Sequence, residues 1–218
     1  SMSISSKMVF LRGFMTPPSA YDELLSPVRA LGTTVMVPKL YGASALRGKF
    51  TAAHEATAAI EFLQNSGVEE AQPVWWVGHS RGGQVAWLAA TQLWSTVGRG
   101  NSDVAPPAGV IVIDPVDGAG RRPRLRTATA TPAAFPKPPL VIGFGRSGAC
   151  APAAVGYRAF AEACPVADVV VMPEAGHADI LSGRWLPIAR RLCPGGSEPA
   201  LVRREVSRLL VGRIGAGL

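Results

Sequence analysis

Residues 78–83 read Gly-His-Ser-Arg-Gly-Gly and lie between two apolar stretches of different character. The run from Pro73 to Val77 before them favours a buried strand, and the run from Gln84 to Trp94 after them favours a helix. A serine on a sharp strand-to-helix turn needs small residues two positions away on each side, and Gly78 and Gly82 meet that need. The pattern predicts a nucleophile elbow, and a glycine-rich turn with a serine cap is the alternative.

Composition indicates a globular protein with one large core. The chain has 218 residues, of which 48% are hydrophobic and 17% charged, and this length suggests a single domain spanning residues 1–218. No apolar run approaches the roughly 20 residues of a membrane helix. We interpret Ser1-Met2 as an expression scar and see no signal peptide in the sequence.

The net charge of +7 and the sequence pI of about 9.9 allow several kinds of acidic partner. The arginines are spread through loops and the last helix, without a nucleic-acid motif or an aromatic-basic platform, so we expect no nucleic-acid partner. Peripheral contact with an anionic membrane surface fits better, and a solvated basic face is the alternative.

Strand-like and helix-like runs alternate along the chain, which predicts an α/β fold with a mostly parallel six-stranded sheet and helices on both faces. The strand candidates are continuous apolar runs, as in strands buried on both faces: Met8 to Phe14, Thr33 to Leu40, Val74 to Val77, Gly109 to Ile113, Leu140 to Phe144 and Asp168 to Met172. The helix candidates are Ser19 to Leu31, Phe50 to Asn65, Gln84 to Trp94, Tyr157 to Ala163 and Glu198 to Val211.

A serine nucleophile needs a base, and the chain has three histidines. His79 adjoins Ser80, and the turn should aim it away from the hydroxyl, whereas His54 lies in a helical run before the elbow strand. His177 follows the last strand, and loops at the carboxyl ends of strands line the site in open α/β sheets. We therefore predict that His177 is the base.

The acid is expected between the serine and the histidine in chain order. The buried run Gly109 to Ile113 ends in Asp114, where a side chain reaches the site, and Asp117 follows three residues later. We favour Asp114 and keep Asp117 as the alternate acid, because the next strand has no carboxylate at its tip.

Ester hydrolysis also needs donors for the oxyanion. One is the backbone N–H of Arg81, directly after the serine, and the second should come from the turn after an early strand. We assign the second donor to the Phe14 N–H, with the Met15 N–H as alternate. This chemistry needs no metal and no organic cofactor.

The three cysteines, Cys150, Cys164 and Cys193, show no metal-ligand spacing with histidine, so no metal site is expected. One disulfide is conceivable. We favour Cys150 to Cys164, although the sequence alone leaves the pairing open.

Several segments together resemble the chlorophyllase family, over roughly residues 8 to 215. The two central motifs are Gly-His-Ser-Arg-Gly-Gly at 78–83 and Val-Ile-Asp-Pro-Val-Asp-Gly at 112–118. Further similar segments are Leu-Arg-Gly-Phe at 11–14, Pro-Lys-Leu-Tyr at 38–41, Cys-Ala-Pro at 150–152 and Gly-His-Ala-Asp-Ile-Leu at 176–181. Arg12 stands where the family usually has histidine, and the additional early strands of longer plant members are not seen.

The resemblance implies an α/β-hydrolase fold, a triad of Ser80, Asp114 and His177, and hydrolysis of the phytyl ester of chlorophyll. It also implies a chloroplast or cytoplasmic location. The substrate is large and apolar, so the pocket should be open and hydrophobic, and candidate lining residues, each of which could instead belong to the core or surface, are Phe14, Met15, Tyr41, Phe135 and Phe144. The alternatives are a general carboxylesterase or lipase with the same triad, and a non-catalytic protein that binds pigment or lipid.

Overall fold

The computed structural model describes residues 6–40, 51–67, 72, 74–97, 106–118, 137–152 and 154–216. Six strands lie in these residues: β1 (Lys7–Leu11), β2 (Thr34–Met36), β3 (Val74–His79), β4 (Pro107–Ile113), β5 (Leu140–Phe144) and β6 (Asp168–Met172). They form one sheet in the order β2-β1-β3-β4-β5-β6, with every neighbouring pair parallel. The predicted six-stranded sheet is confirmed.

Six α-helices connect or follow the strands: α1 (Asp22–Ala30), α2 (Ala52–Gln64), α3 (Arg81–Val97), α4 (Tyr157–Ala163), α5 (Trp185–Leu192) and α6 (Pro199–Gly215). Two short 3₁₀ segments, Pro18–Tyr21 and Gly148–Cys150, adjoin β1 and β5 in the chain. None of the described helices is long and apolar enough to cross a bilayer.

The core has two layers, one on each face of the sheet. Side chains alternate along β1, so that Met8 and Phe10 enter one layer while Val9 and Leu11 enter the other. The first layer also takes buried residues of α1 and α6, and the second takes those of α2, α3 and α4. Helices therefore cover both faces, as the continuous apolar strands predict.

The predicted bounds hold residue for residue for β5, β6 and α4. Strand β1 ends at Leu11, earlier than predicted, because the chain turns there and the Thr16 N–H donates to the Gly13 carbonyl at 3.2 Å. Strand β2 is only three residues long. Helix α5 was not predicted at all. It lies between the loop that carries His177, which we call the base loop, and the last helix, α6.

The disulfide joins Cys150 to Cys193, 43 residues apart, and leaves Cys164 as a buried free thiol. The favoured pairing of Cys150 with Cys164 is therefore wrong. Cys164 ends α4 and packs in the second core layer, whereas Cys193 ends α5. The bridge thus ties the loop after β5 to the segment after α5.

Candidate active site

The elbow forms where β3 ends and α3 begins, with Ser80 between them. Ser80 has a φ of 57°, a left-handed conformation that non-glycine residues rarely adopt and that is typical of a strained functional turn. Its N–H donates to the Ile113 carbonyl at 3.0 Å, which ties the turn to the end of β4. Because α3 begins at Arg81, the Ser80 side chain lies at the positive end of a helix.

Two glycines of the motif are required by close backbone approach. A Cβ at Gly78 would overlap the carbonyl of Gly82, and a Cβ at Gly82 would overlap the carbonyl of Leu11. The second contact brings the start of α3 directly against the end of β1. The spacing of the glycines around Ser80 thus reflects steric need, as the sequence suggests.

His177 contacts both other members of the predicted triad. Its Nε2 lies 2.9 Å from the Ser80 Oγ, and its Nδ1 lies 2.5 Å from the Asp114 Oδ2. Because a carboxylate only accepts, the Nδ1–H donates to Asp114, and Nε2 is left to accept the serine proton. His177 is 7% exposed and Asp114 is fully buried, so water is largely kept from these contacts.

Among the described residues, three donors contact the Asp114 carboxylate. Its Oδ1 accepts the Phe144 N–H at 3.1 Å, and its Oδ2 accepts the Ser147 hydroxyl at 2.5 Å as well as the His177 Nδ1–H. These bonds fix the orientation of the buried carboxylate. Sequence reasoning missed Ser147, which lies just beyond the tip of β5, where we looked only for a carboxylate.

Asp117, the alternate acid, has another environment. Its Oδ1 accepts the side-chain amide of Gln84 at 2.6 Å, and its own N–H donates to the Val155 carbonyl at 2.6 Å. The Gln84 Oε1 in turn accepts the N–H of Gly118 at 3.2 Å. These bonds anchor the loop after β4 to α3, and no bond between Asp117 and His177 is found among the described residues.

His79 lies beside the base without touching the Ser80 hydroxyl in the described contacts. Its Nε2 lies 3.1 Å from the His177 carbonyl, so this nitrogen must carry the proton, and its Nδ1 accepts the Tyr21 hydroxyl at 2.9 Å. Burial lowers the pKa of His79 well below its usual value and raises the pKa of Tyr21 to about 12. Both groups are therefore neutral over the ordinary pH range.

His54, the remaining histidine of the chain, lies in the first turn of α2.

The loop that carries His177 is braced by a buried carboxylate. Asp179 accepts the Gly176 N–H through Oδ2 at 2.8 Å and the Arg190 guanidinium through Oδ1 at 2.7 Å. Arg203 of α6 donates to the Leu181 carbonyl at 2.8 Å. Helices α5 and α6 thus fix the loop on both sides of its turn.

The expected oxyanion turn follows β1. The Gly13 N–H donates to the Tyr21 hydroxyl at 2.9 Å, and the assignment of the donor to Phe14, with Met15 as alternate, stays a prediction. Arg12, which replaces the usual histidine, is buried and its guanidinium donates to the carbonyl of Thr16, closing the turn. Met15, in the same turn, has a φ of 56°, a left-handed conformation that non-glycine residues rarely adopt.

Arg81, whose backbone is the other predicted donor, is fixed through its side chain. Its Nε and Nη2 donate to the two carboxylate oxygens of Glu55 at 3.0 and 3.2 Å. Glu55 is buried on α2, so this two-point ion pair locks the first residue of α3.

The predicted pocket residues differ in how far their side chains are exposed. Phe14 is 53% and Met15 68% exposed, so both offer apolar surface beside the elbow. Phe144 is only 2% exposed and packs in the first core layer, so its assignment to an open pocket wall is corrected: its contribution is the backbone N–H to Asp114. Tyr41 and Phe135 lie outside the described residues.

The chain resembles several solved structures. One, described as a hydrolase of the α/β superfamily from Xanthomonas campestris pv. campestris, is 18% identical, with a TM-score of 0.59 over 95% of this chain and 99% of that one. An α/β-hydrolase enzyme from the metagenome of Mar Chica lagoon sediments is 19% identical, with a TM-score of 0.56 over 86% and 88%. YbtT, the type II thioesterase of yersiniabactin biosynthesis, is 16% identical, with a TM-score of 0.55 over 100% and 96%.

The structural similarity to these proteins shows the α/β-hydrolase fold, and at such low sequence identity it shows no particular reaction. No curated protein sequence matches the chain. The family model described as Chlorophyllase matches residues 5–217, nearly the whole chain, and the segments quoted from the sequence lie within that range. With the sheet order and the arrangement around Ser80 in place, we conclude that this chain belongs to the chlorophyllase family of α/β hydrolases.

Proposed function

We propose that the protein is a serine carboxylic-ester hydrolase that cleaves the phytyl ester of chlorophyll to give chlorophyllide and phytol. The observation that carries the proposal is the position of His177, 2.9 Å from the Ser80 Oγ and 2.5 Å from the Asp114 Oδ2. This is the geometry that a serine nucleophile, its base and the orienting acid require. Membership of the chlorophyllase family supports the choice of ester.

In the first step, the Ser80 oxygen attacks the ester carbonyl carbon while His177 Nε2 takes the serine proton. The tetrahedral intermediate then collapses: the bond from the carbonyl carbon to the phytyl oxygen breaks, and His177 returns the proton to the leaving phytol. The chlorophyllide acyl group stays on Ser80 as an ester.

In the second step, water attacks the acyl-enzyme, with His177 again taking a proton. The bond to the Ser80 oxygen breaks, the serine recovers its proton, and chlorophyllide leaves as the free acid. Asp114 keeps the His177 ring in the tautomer with a proton on Nδ1 and stabilises the imidazolium that forms twice in the cycle. The bonds from Phe144 and Ser147 hold that carboxylate in place.

The oxyanion is assigned to the backbone N–H of Arg81 and that of Phe14, with Met15 as alternate. The Glu55–Arg81 ion pair supports the first donor by fixing the start of α3. The second belongs to a turn closed by Arg12 and Tyr21. Backbone donors that are held in advance stabilise the developing charge without reorganising.

The apolar substrate fits the surface next to the elbow. Phe14 and Met15 expose large apolar side chains on the turn that also carries the proposed donor, and a tetrapyrrole ring or phytyl chain would cover them. The magnesium ion of chlorophyll belongs to the substrate, and the proposed steps call on no cofactor of the protein.

The test is to incubate the protein with chlorophyll a in mild detergent and to separate the products by chromatography, with Ser80→Ala as the matched control. We expect chlorophyllide and phytol from the parent protein and none from Ser80→Ala. Cleavage of a short p-nitrophenyl ester that depends on Ser80, without chlorophyllide, would mean a general carboxylesterase or lipase. Chlorophyll binding without turnover of either ester, and without labelling of Ser80 by an organophosphate, would mean a binding protein.

A further inference from the structure

Helix α5 (Trp185–Leu192) leaves large aliphatic side chains in solvent. None of its residues is buried, Ile188 is 49% exposed and Leu192 is 78% exposed. These two side chains are four residues apart and therefore lie on the same side of the helix. Because they are exposed, these two side chains add little buried apolar surface to the core of the monomer.

Two exposed arginines flank the pair. Arg184 lies four residues before Ile188, and Arg191 lies one residue before Leu192, so the α5 outer face consists of Arg184, Ile188, Arg191 and Leu192. Arg184 caps the helix N-terminus, where a cation opposes the helix dipole and so gives the helix no electrostatic support. Neither arginine has a salt bridge among the described residues.

The segment that carries this face is basic in sequence. Residues 180–197 contain three arginines and no aspartate or glutamate, and the nearest acids along the chain are Asp179 and Glu198. The third arginine, Arg190, points the other way and pairs with the buried Asp179. Among the described residues, Glu174 and Asp179 are paired with other arginines, and no salt bridge joins a described carboxylate to Arg184 or Arg191. These two arginines can therefore meet anionic groups of a partner.

We propose that the α5 outer face docks the protein on an anionic lipid bilayer. Ile188 and Leu192 would enter the boundary between headgroups and acyl chains, and Arg184 and Arg191 would meet lipid phosphates. A short helix with an aliphatic pair between cations matches the chemistry of an anionic interface, and the net charge of +7 adds long-range attraction. The proposal does not depend on the reaction catalysed at Ser80.

Docking through this face would bring the active site to the lipid. Helix α5 begins eight residues after His177, and its Arg190 reaches across to Asp179 of the base loop. Substrate dissolved in the bilayer would then meet the enzyme without crossing water.

The test is co-sedimentation of the full chain with phosphatidylcholine vesicles, with and without phosphatidylglycerol as a minor component. We expect binding to the mixed vesicles only, weakened by added salt because the attraction is screened. Replacing Arg184 and Arg191 by glutamine should lower the partition coefficient about five-fold for each residue. Leu192→Ser should lower it about ten-fold.

Matched controls lie outside the α5 outer face. Leu201→Ser removes a leucine of α6 that is 44% exposed, and Arg158→Gln removes an exposed arginine of α4 on the opposite face of the sheet. Both should bind like the parent. The proposal is overturned if the mixed vesicles bind no protein at low salt, or if the α5 variants bind as well as these controls. It is also overturned if the α5 variants change only self-association, measured by ultracentrifugation, which would assign the face to a second copy of the chain.

Discussion

The Ser147 hydroxyl lies 2.5 Å from the Asp114 Oδ2, the same carboxylate oxygen that contacts the His177 ring. Ser147 therefore helps to orient the Asp114 carboxylate towards His177 and acts as a positioning residue. We expect Ser147→Ala to lower kcat about ten-fold, since one hydrogen bond to a charged group is lost, and to leave KM nearly unchanged. Steady-state kinetics on a p-nitrophenyl ester would measure this, and an unchanged kcat would show that the bond has no part in the reaction.

The two candidate acids can be separated by paired substitutions. Asp114→Asn should lower kcat by about ten thousand-fold, because the amide favours the wrong His177 tautomer. Asp117→Asn should keep most activity and lower the free energy of unfolding by about 1–3 kcal/mol, because its bond to Gln84 weakens. Urea denaturation beside the kinetic assay distinguishes the two effects, and the reverse pattern would make Asp117 the acid.

His79 should make stability fall at mildly acidic pH. Its pKa in the folded protein lies well below its usual value of 6.5, so the unfolded chain binds a proton first. As pH falls below 6.5, stability is lost by up to about 1.4 kcal/mol per pH unit until the folded pKa is reached, and above 6.5 this loss is absent.

A variant that cannot take the proton tests this pH dependence. His79→Gln should show a smaller loss of unfolding free energy between neutral and acidic pH than the parent, as measured by denaturant titration at each pH. Parallel curves for the two proteins would contradict a buried, neutral His79.

The disulfide should stabilise the folded state by restricting the unfolded chain. A bridge with a separation of 43 residues is expected to contribute up to about 4 kcal/mol. Reduction should lower the free energy of unfolding accordingly, and the double variant Cys150→Ala/Cys193→Ala should lose the response to reductant. Cys164→Ala should keep that response, since this thiol is free, and its loss in Cys164→Ala would contradict the observed pairing.

The sequence was most informative where an apolar run has sharp ends. Strand β5, which is buried throughout, lies between Pro139 and Gly145, and the edge strand β6 begins at Asp168 and is followed by Pro173, so both were predicted residue for residue. Helix α5 was not recognised because it is short, contains Pro187 and has no fully buried residue, although Trp185 and Ala189 pack in part against the first core layer. Its place depends on tertiary contacts such as that of Arg190 with Asp179, which no local pattern reveals.

In the candidate site, too, some features follow from local sequence and others depend on tertiary contacts. The order of Ser80, Asp114 and His177 along the chain pointed to strand ends that the sheet brings together. The choice between Asp114 and Asp117 needed the register, in which His79 pairs with Ile113 and so sets Asp114 beside the elbow. The partner of Cys150 and the role of Ser147 likewise depend on loops whose paths follow from packing.

The close approach of Gly82 to the Leu11 carbonyl has a consequence for how this enzyme can change over evolution. The distance between the nucleophile turn and the strand leading to the oxyanion turn is fixed by main chain against main chain. Exposed side chains such as Phe14 and Met15 can then be exchanged without moving the reacting groups. For the proposed ester hydrolase, such exchanges would alter the preference among esters without moving the residues of the proposed triad.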